Sequence, residues 1–196
     1  MTVHGVWLEP FALNDLPQAW SDAGIPAQVI ERAVDYHTRW GGLALPPAPG
    51  YDGGPRFLQS DTPEQSPTAP DWHFDAGSSR TAVPYSFMIG PDGSFGIRFD
   101  RWVRLHSGIE GWIESLALTY AVRDVATRTT KVIGDAVDTL DLTSLEAVPE
   151  VCGVTDTWWL GPDSAIAIYR GEAELFQRPD YRAAYVYSGF RRRQWA

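Results

Sequence analysis

Apolar positions along the chain recur with two periods, and the alternation between them outlines its elements. Over 27–40 the polar residues Gln28, Glu31, Arg32, Asp35, Thr38 and Arg39 share one helical face, and Val29, Ile30, Ala33, Tyr36, His37 and Trp40 share the other. This spacing predicts an amphipathic helix on a core, stopped by Gly41-Gly42, with His37 as a hydrogen-bonded core histidine. A shorter helix is expected over 15–23. Period-two stretches at 71–75, 82–89, 94–99 and 102–106 read as strands, with Gly90-Pro91-Asp92-Gly93 as a tight hairpin turn. The helical period returns over 109–125, where Ile109, Trp112, Ile113, Leu116, Ala117 and Tyr120 form a stripe. Ser107-Gly108-Ile109-Glu110 ahead of it fits a capping box.

Beyond residue 130 the pattern predicts a short acidic helix or loop at 135–142 and a strand at 145–148. A hairpin then carries Trp158-Trp159-Leu160 through Gly161-Pro162-Asp163 into 164–169, and strands at 173–176 and 183–187 complete a sheet. The expected class is α+β: an antiparallel sheet flanked by two main helices, with a second small β-rich portion at the C-terminal end. We expect a core over 1–130, and over 131–196 an acidic, then β-rich extension packed on the same domain. Seven prolines and three glycines at 46–72 leave room there for a loop with one strand, at 56–59.

Charge narrows the class of partner. The chain of 196 residues carries 16 Lys and Arg against 25 Asp and Glu, a net charge of −9, and three of those cations are Arg191, Arg192 and Arg193. Val132 to Tyr169 contains seven acids and no Lys or Arg. Such a surface is poorly suited to nucleic acid, whose binding depends on basic groups that release counterions, and better suited to a basic protein. Asp135, Asp138 and Asp141 are the expected electrostatic contacts. Trp158 and Trp159, adjacent on a strand and so facing opposite sides, are the expected aromatic anchors. No apolar run has transmembrane length, and the N-terminal residues lack a signal pattern. A single cysteine, Cys152, cannot form an internal disulfide. A cytoplasmic protein is the expectation.

Catalytic motifs are scarce. The chain has no G-x-S-x-G, Walker, dinucleotide or H-E-x-x-H sequence. The tightest set of ligating types is Asp71, His73 and Asp75, which on a strand share one face opposite Trp72 and Phe74. They define one alternative, a small metal-dependent enzyme with the 46–72 loop as a lid. A half-exposed strand produces the same alternation, and no cofactor is called for.

Tyr36-His37-Thr38-Arg39-Trp40-Gly41-Gly42-Leu43-Ala44-Leu45-Pro46 resembles the Gly-x-x-Leu-Pro element of the SUKH superfamily of bacterial immunity proteins. Trp102-Val103-Arg104-Leu105-His106-Ser107, followed by Glu110, Trp112, Ile113 and Leu116, is similar to that superfamily's closing strand and helix. The resemblance spans about residues 27–126. It implies an α+β fold and a non-catalytic role, the binding and neutralising of a cognate toxin domain. A regulatory adaptor of the same fold is the other reading it allows.

Overall fold

A computed structural model describes residues 5–66 and 69–191. The chain is a mixed α+β protein that divides between Phe99 and Asp100 into two compact units. In chain order the first unit holds β1 (Val6–Trp7), α1 (Leu16–Asp22), α2 (Ala27–Trp40), β2 (Leu43–Ala44), β3 (Pro55–Leu58), β4 (Glu64–Gln65), β5 (Trp72–Asp75), β6 (Gly77–Ser79), β7 (Ser86–Ile89) and β8 (Phe95–Arg98). The second holds β9 (Trp102–His106), α3 (Ile109–Val125), β10 (Arg128–Ile133), β11 (Glu146–Ala147), β12 (Thr157–Leu160), β13 (Ser164–Tyr169), α4 (Gly171–Leu175) and β14 (Ala183–Ser188). Short 3₁₀ turns occupy Gly134–Thr139 and Pro179–Tyr181.

In the first unit β1, β2, β3 and β6 lie side by side in that order, as do β4, β5, β7 and β8, and the pairs are antiparallel. Helix α2 buries Val29, Ala33, Tyr36 and His37, the i, i+4, i+7, i+8 positions of its apolar face. The Tyr36 hydroxyl donates to the Ala76 carbonyl at 2.7 Å, and its ring meets Phe74 edge-on at 5.4 Å. Arg32 donates from Nη1 to the Pro91 carbonyl at 2.6 Å and from Nη2 to that of Trp72 at 3.2 Å, tying α2 to the β7–β8 turn and to β5. That turn is the expected hairpin, closed by Gly90 N–H to the Ser94 carbonyl at 2.8 Å.

In the second unit an antiparallel sheet runs β10-β14-β13-β12-β11. Trp158 pairs across the sheet with Ala167 and stacks on Tyr187 at 6.0 Å, and its Nε1 donates to Ser115 Oγ of α3 at 2.9 Å. The opposite face carries Ile166, Ile168 and Ala184, covered by Val137, Leu140, Leu142 and Leu145. The sheet is therefore packed on both faces, by α3 and by the segment that follows β10.

Four expectations need correction. The boundary set at residue 130 falls inside the second unit, because α3 gives Ser115 to Trp158 and belongs with the C-terminal strands. The strand expected at 173–176 is helix α4, which starts at Gly171 and buries Ala173 and Leu175. The capping box does not form: Gly108 takes the N-cap in extended conformation, and α3 starts without a side-chain cap. The apolar stripe expected on α3 is also altered: its buried face carries Ser115 and Thr119 among the apolar residues, while Ala117 is exposed.

His106 on β9 is 1% exposed, meets Trp112 edge-on at 6.1 Å, and has no hydrogen-bond partner for Nε2 among the described residues. Burial pushes its imidazole from 6.5 down to about 4. Between those values the unfolded chain holds a proton that the folded chain does not, so stability falls as the pH drops through that window. The full shift corresponds to roughly 3 kcal/mol. Urea midpoints compared at pH 7 and pH 4 should show a smaller acid loss in His106→Leu than in the parent; equal losses would show that His106 is not the titrating group.

Candidate functional site

Two of the three expected acidic contacts come together, but on intramolecular cations. Arg182 Nη2 donates to Asp135 Oδ1 at 2.6 Å, Arg182 Nη1 pairs with Asp138, and Arg170 Nη2 reaches the other oxygen of Asp138 at 3.4 Å. A basic partner would compete with these arginines for both carboxylates. Arg170 and Arg182, with Ala173, Glu174, Gln177 and Pro179, line an open cleft of about 300 Å³. Asp141 is separate from this network: the Thr143 hydroxyl and amide donate to it at 2.7 and 3.0 Å and hold its carboxyl below the usual range.

Trp158 is not a surface anchor. It is 1% exposed, sealed between α3 and the sheet, where the small Ala167 opposite leaves room for the indole. Trp159, half-buried on the other face, packs into the cluster around Val137 and Ile166, and its Nε1 donates to Thr157 Oγ1 at 3.3 Å. Cys152 is likewise structural: its Sγ accepts from the Trp158 amide at 3.3 Å and donates to the Trp158 carbonyl at 3.4 Å.

The proposed metal ligands do not converge. Asp71 is exposed ahead of β5, His73 is buried and Asp75 is half-buried. Both His73 and Phe74 are buried, so the middle of the strand is covered on its two faces. Burial holds the His73 imidazole below its ordinary value despite Asp71, and burial together with the nearby Asp61 carboxylate raises Asp75 to about 6. Among the described residues no three His, Cys, Asp or Glu side chains come together to hold a metal ion.

The surface that sequence reasoning missed lies at β1. Val6, Trp7, Leu8 and Phe11 are 54%, 59%, 52% and 58% exposed, four of nine exposed large apolar residues among the described positions. Successive strand residues face opposite ways, so Trp7 projects from one face of β1 and Val6 and Leu8 from the other. With these side chains more than half exposed, the backbone ties the strand in place. Val6 pairs with Ala44 and Trp7 with Leu43, and the Leu8 amide donates to the Gly42 carbonyl at 2.8 Å. Further along, His37 Nε2 donates to the Phe11 carbonyl at 2.7 Å, confirming His37 as a hydrogen-bonded core residue. Glu9, Asp15, Asp22 and Glu31 are all exposed, and no Lys or Arg precedes Arg32 in the sequence. The signal was present in the sequence as an apolar run inside an acid-only segment.

Gly42 is what allows the strip to sit there. Its φ is +90°, and a Cβ at this position would lie 2.3 Å from the Leu8 carbonyl oxygen. Comparison with protein-family models, with curated proteins and with solved structures finds no match. Among the described residues no helix is long and apolar enough to cross a membrane.

Both the left-handed φ and the close approach penalise a side chain at Gly42. Gly42→Ala should destabilise the chain by about 1–3 kcal/mol and raise amide exchange at Leu8 more than within α3. An unchanged exchange rate at Leu8 would show that β1 is held by something else. Trp158→Ala, which empties a filled core position, should cost about 3–5 kcal/mol by denaturant titration. A loss below 1 kcal/mol would return Trp158 to the list of surface residues.

Proposed function

We propose that the chain is a non-catalytic protein-binding module that grips a basic protein through its N-terminal edge, in the role of an immunity protein against a toxin domain. The observation that carries this reading is the exposed apolar strip Val6, Trp7, Leu8 and Phe11 inside a segment with acids and no cations. Exposed apolar side chains gathered on one edge strand are characteristic of interaction sites, and large aromatics there supply most of the binding energy. Opposite charge accelerates encounter and rejects acidic partners. The toxin as the class of partner comes from the SUKH resemblance of 36–46 and 102–116. A single cysteine is in keeping with a reducing, cytoplasmic setting.

The test is affinity capture from the native host, with the bound protein identified by mass spectrometry and the capture repeated with Trp7→Ser/Phe11→Ser. We expect a stoichiometric partner rich in Lys and Arg that the double variant loses, at an unchanged thermal midpoint. Loss of two aromatic anchors should weaken binding by at least about a hundredfold. Absence of a basic partner, or its retention by the double variant, would overturn the reading. Expressing the captured protein alone separates the roles: growth arrest relieved by this chain supports immunity, and normal growth points instead to the adaptor.

A further inference from the structure

Strand β1 ends its sheet: β2 lies on one side, and among the described residues no strand pairs with the other. The register fixes which backbone groups face outward. Val6 opposes Ala44, Trp7 opposes Leu43, and the Leu8 amide donates to the Gly42 carbonyl, a single bond that sets Leu8 and Gly42 as a bonded pair of the ladder while the Gly42 amide turns to the Leu58 carbonyl. In an antiparallel ladder such pairs alternate with non-bonded ones. Trp7 is therefore non-bonded toward β2, and its N–H and C=O point to the outer edge.

We propose that the partner contributes an extended basic segment that adds to this edge as a further strand, bonded to the Trp7 backbone. This rests on the protein-binding reading above and specifies its mode. Strand addition draws affinity from main-chain bonds and specificity from alternate side chains. Here Trp7 offers one apolar face and Val6 with Leu8 the other, so an incoming strand finds apolar neighbours on both sides. Charge decides the occupant. A second copy would set its own Glu9 and net charge of −9 against the same charges, whereas a segment bearing Lys or Arg at alternate positions meets them favourably.

The probe is a seven-residue end-capped peptide alternating Lys and Val, titrated into the isotope-labelled full chain, with a Glu-Val counterpart as control. Trp7→Ala removes the side chain, and Trp7→Pro removes the side chain and the outward N–H. Proline is compatible with an edge position whose N–H faces solvent, and Val6 before it is already extended. Equal thermal midpoints for the two variants verify that both fold. We expect amide shifts at Val6, Trp7 and Leu8, binding that weakens with salt, and Trp7→Pro about tenfold weaker than Trp7→Ala. The proposal is overturned if the two variants bind alike, if the Glu-Val peptide binds as well, if the shifts fall elsewhere, or if sedimentation shows a dimer that Trp7→Pro dissolves. A host partner that needs the Trp7 and Phe11 side chains but tolerates Trp7→Pro as well as Trp7→Ala would sink strand addition and leave protein binding standing. Failure to capture any basic partner would sink both.

Discussion

The first unit turns on the geometry at Gly42, where three stretches of backbone meet. Its amide donates to the Leu58 carbonyl at 3.1 Å and its carbonyl accepts from the Leu8 amide at 2.8 Å, so one residue joins the N-terminal strand to the end of β3. No side chain fits beside the Leu8 carbonyl, and the left-handed φ suits only glycine well. One residue earlier the Gly41 amide ends α2 by donating to the His37 carbonyl, while the His37 ring holds Phe11. The two glycines thus convert the end of a helix into the anchorage of an exposed strand. They tie β1 in place although its side chains are more than half exposed.

Placement in the second unit is decided by polar groups inside the core. An indole N–H costs free energy when buried unless it finds an acceptor, and Ser115 on the inner face of α3 supplies one for Trp158. Thr119, one turn on, returns its hydroxyl to the Ser115 carbonyl at 2.9 Å, so α3 carries its own buried hydroxyls without orphaning them. The other sheet face is closed by Val137, Leu140, Leu142 and Leu145. Two neighbouring tryptophans consequently have different environments, and neither is the bare anchor that adjacency on a strand had implied.

Much of the architecture was legible in the residues. The amphipathic period marked α2, a long apolar stretch marked α3, and turn chemistry placed both hairpins, because these signals are local. Elsewhere local signals were degenerate. Ala173 to Phe176 is too short to separate period two from a helical turn, and Gly171 ahead of it was not read as a helix start. Ser107 and Glu110 have capping-box spacing, yet the helix begins one residue too late for Ser107 to cap it. The candidate site was hardest to read. An apolar run such as Val6-Trp7-Leu8 has the composition of a core strand, and only the tertiary structure shows that its side chains are more than half exposed. Asp135 and Asp138 were visible as charges, but Arg182 lies more than forty residues further along and its pairing is invisible in sequence spacing.

An exposed apolar edge strand is ordinarily a liability, since its free N–H and C=O groups template pairing with any other chain. Two features of this molecule limit that hazard while leaving the edge open. The strand is short, two residues by its pairing with β2, so an incoming segment gains few bonds unless side chains add to them. The net charge of −9 repels further copies of the chain. Weak intrinsic pairing combined with electrostatic exclusion discriminates more sharply than either alone, because an acidic or neutral segment gains too little from the backbone to offset the ordering of its own chain. A segment that supplies both positive charge and apolar side chains overcomes both limits at once. The acidity of this protein then acts as a filter on the edge, whereas Asp135 and Asp138, which the sequence had suggested as a bare negative field, are taken up by Arg170 and Arg182.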